Sequence, residues 1–206
     1  MTNKIALVLG ATGLVGGEVL KALVKDSRYK QINCIVRHPV GLESNKIRQS
    51  IIKPSAERFE WHQYAESFAV DHVYVCLGTT IKKAGSKKAF REIDFDLVYQ
   101  AALISIEYDV RSFVWVSSVG ADASSHNFYL QVKGELEQAI YQLEQLNAVA
   151  VRPSLLLGDR QESRPAEQIG SFLVKLVSPF LIGSLAKYKP VQASEVAKQM
   201  IELQRF

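Results

Sequence analysis

The chain has 206 residues, of which 48% are hydrophobic and 22% charged, with 25 Lys and Arg against 21 Asp and Glu for a formal net charge of +4. That length fits one domain at about 150 residues each, and roughly 70% of the unfolded surface can be buried without disulfide or metal staples. The composition excludes disorder and collagen-like repeats, and the mild, interspersed positive charge argues against a dedicated nucleic-acid binder while suiting an enzyme with a phosphorylated ligand.

Short apolar runs alternate with longer amphipathic ones, the pattern of βαβ units on a parallel sheet. The first strand is predicted over 4–9, and Gly10-Ala-Thr12-Gly13-Leu14-Val15-Gly16 follows at once, opening a helix over 14–26. Three glycines there have separate jobs: a turn with permissive φ, close backbone approach to phosphate, and tight helix–strand packing. The N–H groups at the start of the helix, with its positive dipole end, then face a pyrophosphate. Gly10, Thr12, Gly13, Leu14, Val15 and Gly16 are therefore candidate dinucleotide-binding residues, with a purely structural turn as the alternative.

The second strand is predicted over 32–37, where an NAD site offers an acid to the ribose about 20 residues past the glycines. Here the sequence reads Val36-Arg37-His38, and the nearest acid is Glu43. Arg37 is a candidate grip on a 2′-phosphate, so NADP(H) is preferred over NAD(H). A weak strand is read at 49–52 and a firmer one over 72–77, after which 78–88 reads as a functional loop at the ligand edge of the sheet. A helix over 87–108, marked by Ala101-Ala102 and Leu103, leads to a strand over 112–117.

That strand ends in Ser117 and Ser118, candidate hydrogen-bond donors to a substrate oxygen. In the next helix, 127–146, Val132, Leu136, Ile140 and Leu143 are the apolar positions, and Tyr129 and Lys133 share one face. A free tyrosine, with a pKa of about 10, is a poor base at pH 7, and a neighbouring ammonium favours the phenolate. Tyr129, Lys133, Ser118 and Ser117 form the candidate catalytic set, with Lys133 also a candidate for the cofactor ribose. A lone Tyr-x-x-x-Lys arises by chance in many helices; the upstream serines and the glycine loop give it weight.

A strand over 147–152, a loop over 155–168 and helices over 166–177 and 193–204 complete one doubly wound α/β domain, residues 1–206, with substrate-pocket elements mainly in 155–190. Arg160 and Arg164 there suggest an anionic or polar substrate group, against ordinary surface charge. Cys34 and Cys76 make neither a zinc spacing nor a disulfide framework, which points to a reducing cytoplasm and to no metal. No apolar run approaches the 18 or more residues of a membrane span, and the first residues read as a strand rather than a signal peptide.

Several stretches together carry a family likeness: Gly10 to Gly16, Cys76-Leu77-Gly78-Thr79-Thr80 with Ala84-Gly85, Ser117 to Asp122, Tyr129 to Glu135, Arg152-Pro153 and Asp159 to Pro165. On these, over nearly its whole length, the chain resembles the atypical short-chain dehydrogenases/reductases, and more narrowly the Tat-interacting-protein-like oxidoreductases. The resemblance implies a Rossmann-type fold in which Leu77 and Gly78 line the nicotinamide half of the groove, with Thr79 also a cofactor-binding residue. It implies Tyr129 and Lys133 as the catalytic pair, and Leu156 and Arg164 at the cofactor or substrate mouth. Asp94 stands where many short-chain enzymes carry the Asn of a catalytic tetrad, which puts a proton relay there in doubt. The implied function is an NADP(H)-dependent oxidoreductase acting on a small carbonyl or alcohol. The alternative is an NADPH-binding regulatory or interaction protein with little turnover. The expected partners are the dinucleotide and a small-molecule substrate; a protein partner, and monomer against homodimer, stay open. A sugar-nucleotide epimerase is disfavoured, because the stretch after Arg152 is too short for the usual substrate domain.

Overall fold

The computed structural model describes residues 3–53, 59–157 and 189–204. In the strand β1 (Lys4–Leu9), Ala6, Leu7, Val8 and Leu9 are all fully buried, as a strand covered on both faces must be. Ala6 and Val8 belong to one apolar cluster and Leu7 and Leu9 to the other, the alternation that a period of two imposes. Around β1 stand β2 (Tyr29–Val36), β3 (Ile47–Ile51), β4 (His72–Val75), β5 (Ser112–Val116) and β6 (Ala148–Val151). All pair in parallel, in the order β3-β2-β1-β4-β5-β6. This is the doubly wound Rossmann arrangement; the strand order reverses between β1 and β4, and ligands bind in the crevice outside their carboxyl ends.

One face of the sheet is covered by α1 (Leu14–Lys25) and α6 (Ala193–Glu202), through Val19, Leu20, Leu23, Val196 and Met200. The other is covered by α4 (Leu97–Glu107) and α5 (Phe128–Tyr141), through Val98, Ala101, Ala102, Leu136 and Ile140. A 3₁₀ segment over Trp61–Phe68 joins that second layer, and Trp61 Nε1 donates to Leu97 O at 2.7 Å.

The structure corrects several predicted boundaries. The helix expected over 87–108 is α3 (Lys87–Arg91), a π turn over Glu92–Asp96, and α4. The expected loop over 78–88 contains a helical turn, α2 (Ile81–Ala84), capped by the Thr80 side chain, which accepts from Lys83 N. The helix expected over 127–146 ends at Tyr141, and Leu143 reaches the core from a turn. β2 begins at Tyr29 rather than at 32, because Tyr29 is a buried anchor among charged neighbours. A two-residue strand pair, β7 (Leu156–Leu157) with β8 (Val191–Gln192), had no sequence signal at all. The helix predicted over 166–177, and Arg160 and Arg164, lie outside the described residues.

Candidate active site

The turn from β1 into α1 is built from backbone. Gly10 has φ +84, and a Cβ on it would stand 2.6 Å from Cys76 O, where the chain leaves β4. A Cβ on Gly16 would stand 2.2 Å from Gly10 O, so helix and turn touch through two glycines. Gly13 differs: its φ and ψ are −82 and 172, open to any residue, and a Cβ would be 3.2 Å from Gly10 O. Its expected job of close approach therefore does not need unusual backbone conformation. Thr12 and Gly13 are exposed, Leu14 is half-buried, and Val15 packs into the core.

This turn fits an anionic pyrophosphate on two counts. The N-cap of α1 is Gly13, with no side chain capping the first N–H groups, and the first turn carries no acid. Those donors and the helix dipole are free for a phosphate oxygen. Arg37 stands just past β2, exposed, with no hydrogen bond or ion pair among the described residues. A guanidinium so placed matches a phosphate and repels nothing.

Across the crevice, Leu77 packs on the second apolar cluster while Gly78 is exposed. Thr79 N donates to Asp94 Oδ2 at 2.8 Å. Asp94 is 1% exposed and pairs through Oδ1 with Lys133 Nζ, also at 2.8 Å. Lys133 Nζ further reaches Val116 O at 3.5 Å, at the end of β5. So the immediate partner of Lys133 is a carboxylate, not the phenol one turn earlier. The Tyr129 ring packs against Phe90, with centroids 5.7 Å apart. The Phe90 and Asp94 pair thus meets the Tyr129 and Lys133 pair, each spaced one helical turn.

The two serines diverge. Ser117 is 3% exposed and donates to Glu137 Oε1; Arg152 Nε holds the same carboxylate at 2.9 and 3.0 Å. Ser118 is half-buried, and among the described residues its hydroxyl makes one long hydrogen bond, to Val119 O at 3.3 Å. Leu156 lies in β7, half-buried against the first cluster and paired with Val191.

Sequence reasoning overlooked Phe90 and Glu137, and gave Gly134 no role of its own. A Cβ on Gly134 would stand 2.2 Å from Ala123 N, so the segment after Ser118 lies directly on α5. The signal for Phe90 was its spacing of four from Asp94, which mirrors Tyr129 and Lys133.

Comparison with known proteins agrees with a dinucleotide-binding fold. The family described as NAD(P)H-binding matches residues 10–173. The chain is 40% identical over 161 residues to the mitochondrial protein FMP52-1 of Scheffersomyces stipitis, covering 77% of this chain and 70% of that protein. It is 36% identical over 171 residues to protein HTATIP2 of Rattus norvegicus, covering 81% and 69%. Among solved structures it is similar in fold to WbmF of Bordetella bronchiseptica with NAD+ and UDP, at TM-score 0.71 and 15% identity, over 98% of this chain and 69% of that one. MoeE5, solved with UDP-glucose and NAD, gives TM-score 0.66 at 12% identity, over 97% and 71%.

Proposed function

The chain belongs to the NAD(P)H-binding family of short-chain dehydrogenase/reductase type, and on that premise we propose that it is an NADP(H)-dependent oxidoreductase acting on a small carbonyl or alcohol. One observation carries the reading. The Tyr129 and Lys133 face of α5 is braced by Phe90 and Asp94, at the same strand ends as an uncapped glycine turn.

The α1 turn, from Gly10 to Gly16, takes the pyrophosphate; Arg37 takes the 2′-phosphate and sets the preference for NADP(H). Leu77, Gly78 and Thr79 form the nicotinamide wall, and Lys133 holds the ribose. Leu156 borders the mouth, with Arg164 assigned there by family resemblance. When bound, the nicotinamide supplies or accepts hydride. Tyr129 gives its phenolic proton to the substrate oxygen in reduction and takes it back in oxidation. Ser118 donates a hydrogen bond to the same oxygen, while Ser117 serves the Glu137 and Arg152 network instead. One domain over 1–206 carries these parts, with the substrate pocket mainly in 155–190.

Among the described residues no helix is long and apolar enough to cross a membrane. Burial pushes the thiols of Cys34 and Cys76 up to about 12, which keeps both protonated; that both are free rather than bridged suits a reducing compartment, the cytoplasm in the first instance. The mitochondrial names of the yeast relatives make the mitochondrion the competing location.

The test is NADPH oxidation with a panel of aldehydes, ketones and quinones, wild type beside Tyr129→Phe. Turnover of any substrate found should fall about 10²-fold or more in the variant, the usual scale of acid–base catalysis. NADPH affinity should stay within a few-fold. Equal turnover by the two proteins sinks the role of Tyr129. NADPH binding with no turnover of any kind turns the reading to a regulatory or interaction protein.

A further inference from the structure

Asp94 sits in the π turn between α3 and α4, a rare geometry that recurs at functional sites. Its buried carboxylate makes two bonds of 2.8 Å, one to Lys133 Nζ and one to the Thr79 amide. Oδ1 also lies 3.5 Å from the place a Cβ on Gly78 would take. One carboxylate therefore touches both the loop after β4 and the helix α5. Lys133 is itself 3% exposed, so both charges have left water. Replacing such a pair by apolar side chains of equal volume is often neutral or stabilising, so stability by itself is weak grounds for burying one.

We propose that Asp94 is a positioning residue of the cofactor site, fixing the Lys133 ammonium and the Leu77–Gly78–Thr79 loop in one arrangement before NADPH arrives. The proposal rests on the reading of Lys133 as a residue that holds the cofactor. A carboxylate is required for half of this task only. The amide oxygen of an asparagine would still accept from Thr79 N, but it carries no charge to keep a buried ammonium in place. Without Asp94 the remaining acceptor for Lys133 among the described residues is Val116 O at 3.5 Å, too long to direct a flexible four-carbon chain. Phe90 performs the parallel service for the Tyr129 ring one turn away.

The test is a double-mutant cycle on the full chain: Asp94→Asn, Lys133→Met and both together, read by NADPH titration and by melting of the cofactor-free protein. Each single variant should bind NADPH about 10-fold more weakly, and the double variant no more weakly than the worse single one. The double variant should also melt above Asp94→Asn, because it no longer buries an unpaired cation. Wild-type affinity in Asp94→Asn beside a weakened Lys133→Met overturns the role of Asp94 and leaves the cofactor reading intact. Losses that multiply to about 100-fold overturn it as well, since Asp94 then acts independently of Lys133. Wild-type affinity in Lys133→Met sinks the cofactor role of Lys133 and this proposal with it. Should Asp94→Asn fail to fold, the double variant against Lys133→Met decides alone: equal affinity supports the proposal, and a further 10-fold loss overturns it.

Discussion

Gly16 rests its bare Cα on the carbonyl of Gly10, and a Cβ there would come within 2.2 Å of that oxygen. Two of the three fingerprint glycines are thus demanded by the chain itself. Gly16→Ala should lower stability by about 1–3 kcal/mol or more, as overpacking against backbone does, at about 2–4 °C per kcal/mol for a chain of this size. Gly13→Val should behave in the opposite way. Its backbone angles suit any residue and its new Cβ asks only for small give, so the melting point should hold while NADPH binding disappears. Calorimetric melting and NADPH titration of the two variants check this; retained binding in Gly13→Val would show that the loop is only a turn.

Arg37 is exposed just past β2, and among the described residues it pairs with no acid. Wild type should bind NADPH more tightly than NADH, and Arg37→Asp should reverse the order. Charge-assisted hydrogen bonds of this kind are worth about 10- to 100-fold in affinity. Paired titrations with both nucleotides measure it, and equal affinities in the wild type would discard the preference.

Ser117 and Ser118 should separate stability from turnover. Ser117→Ala removes the hydroxyl that donates to buried Glu137 and should cost about 1–3 kcal/mol of stability with turnover kept. Ser118→Ala should leave melting unchanged and slow the reaction. Denaturant titration and steady-state rates of the pair test the assignment, and a reversed pattern would exchange the two roles.

The acid limb of stability should depend on Asp71. Burial alone would raise its carboxyl, but the Ile5 amide at 2.9 Å and Lys4 Nζ at 3.1 Å outweigh this and hold it below the ordinary carboxylate range. A carboxyl lowered in the folded state stabilises above its unfolded pKa of about 3.9, and that contribution is lost as pH falls through the folded value. Asp71→Asn should therefore melt lower than wild type at pH 6 and approach it as pH falls below 4. Melting points measured across that range settle the matter; a constant gap would remove Asp71 from the acid response.

The sheet and the glycine turn were legible because periodicity and local φ requirements are written in contiguous residues. β1 and the start of α1 come out at the predicted residues, since Ala6 to Leu9 are apolar on both faces and Gly13 closes the turn. The break at 92–96 was not legible: 87–108 has a continuous helical pattern, and the π turn depends on what Asp94 and Phe90 meet across the interface. For the same reason Ser117 and Ser118 looked equivalent in sequence. Only Glu137, twenty residues on, claims the first of them.

Leu156 lies opposite Val191, and Leu157 opposite Gln192. This short parallel pair ties the stretch after β6 to the entry of α6. Because β8 runs straight into α6, the position of that helix beside α1 is set from two directions, by its own apolar side chains and by this clasp. A change at Leu156 therefore bears on α6 and, through it, on α1, the helix whose first turn the glycines open.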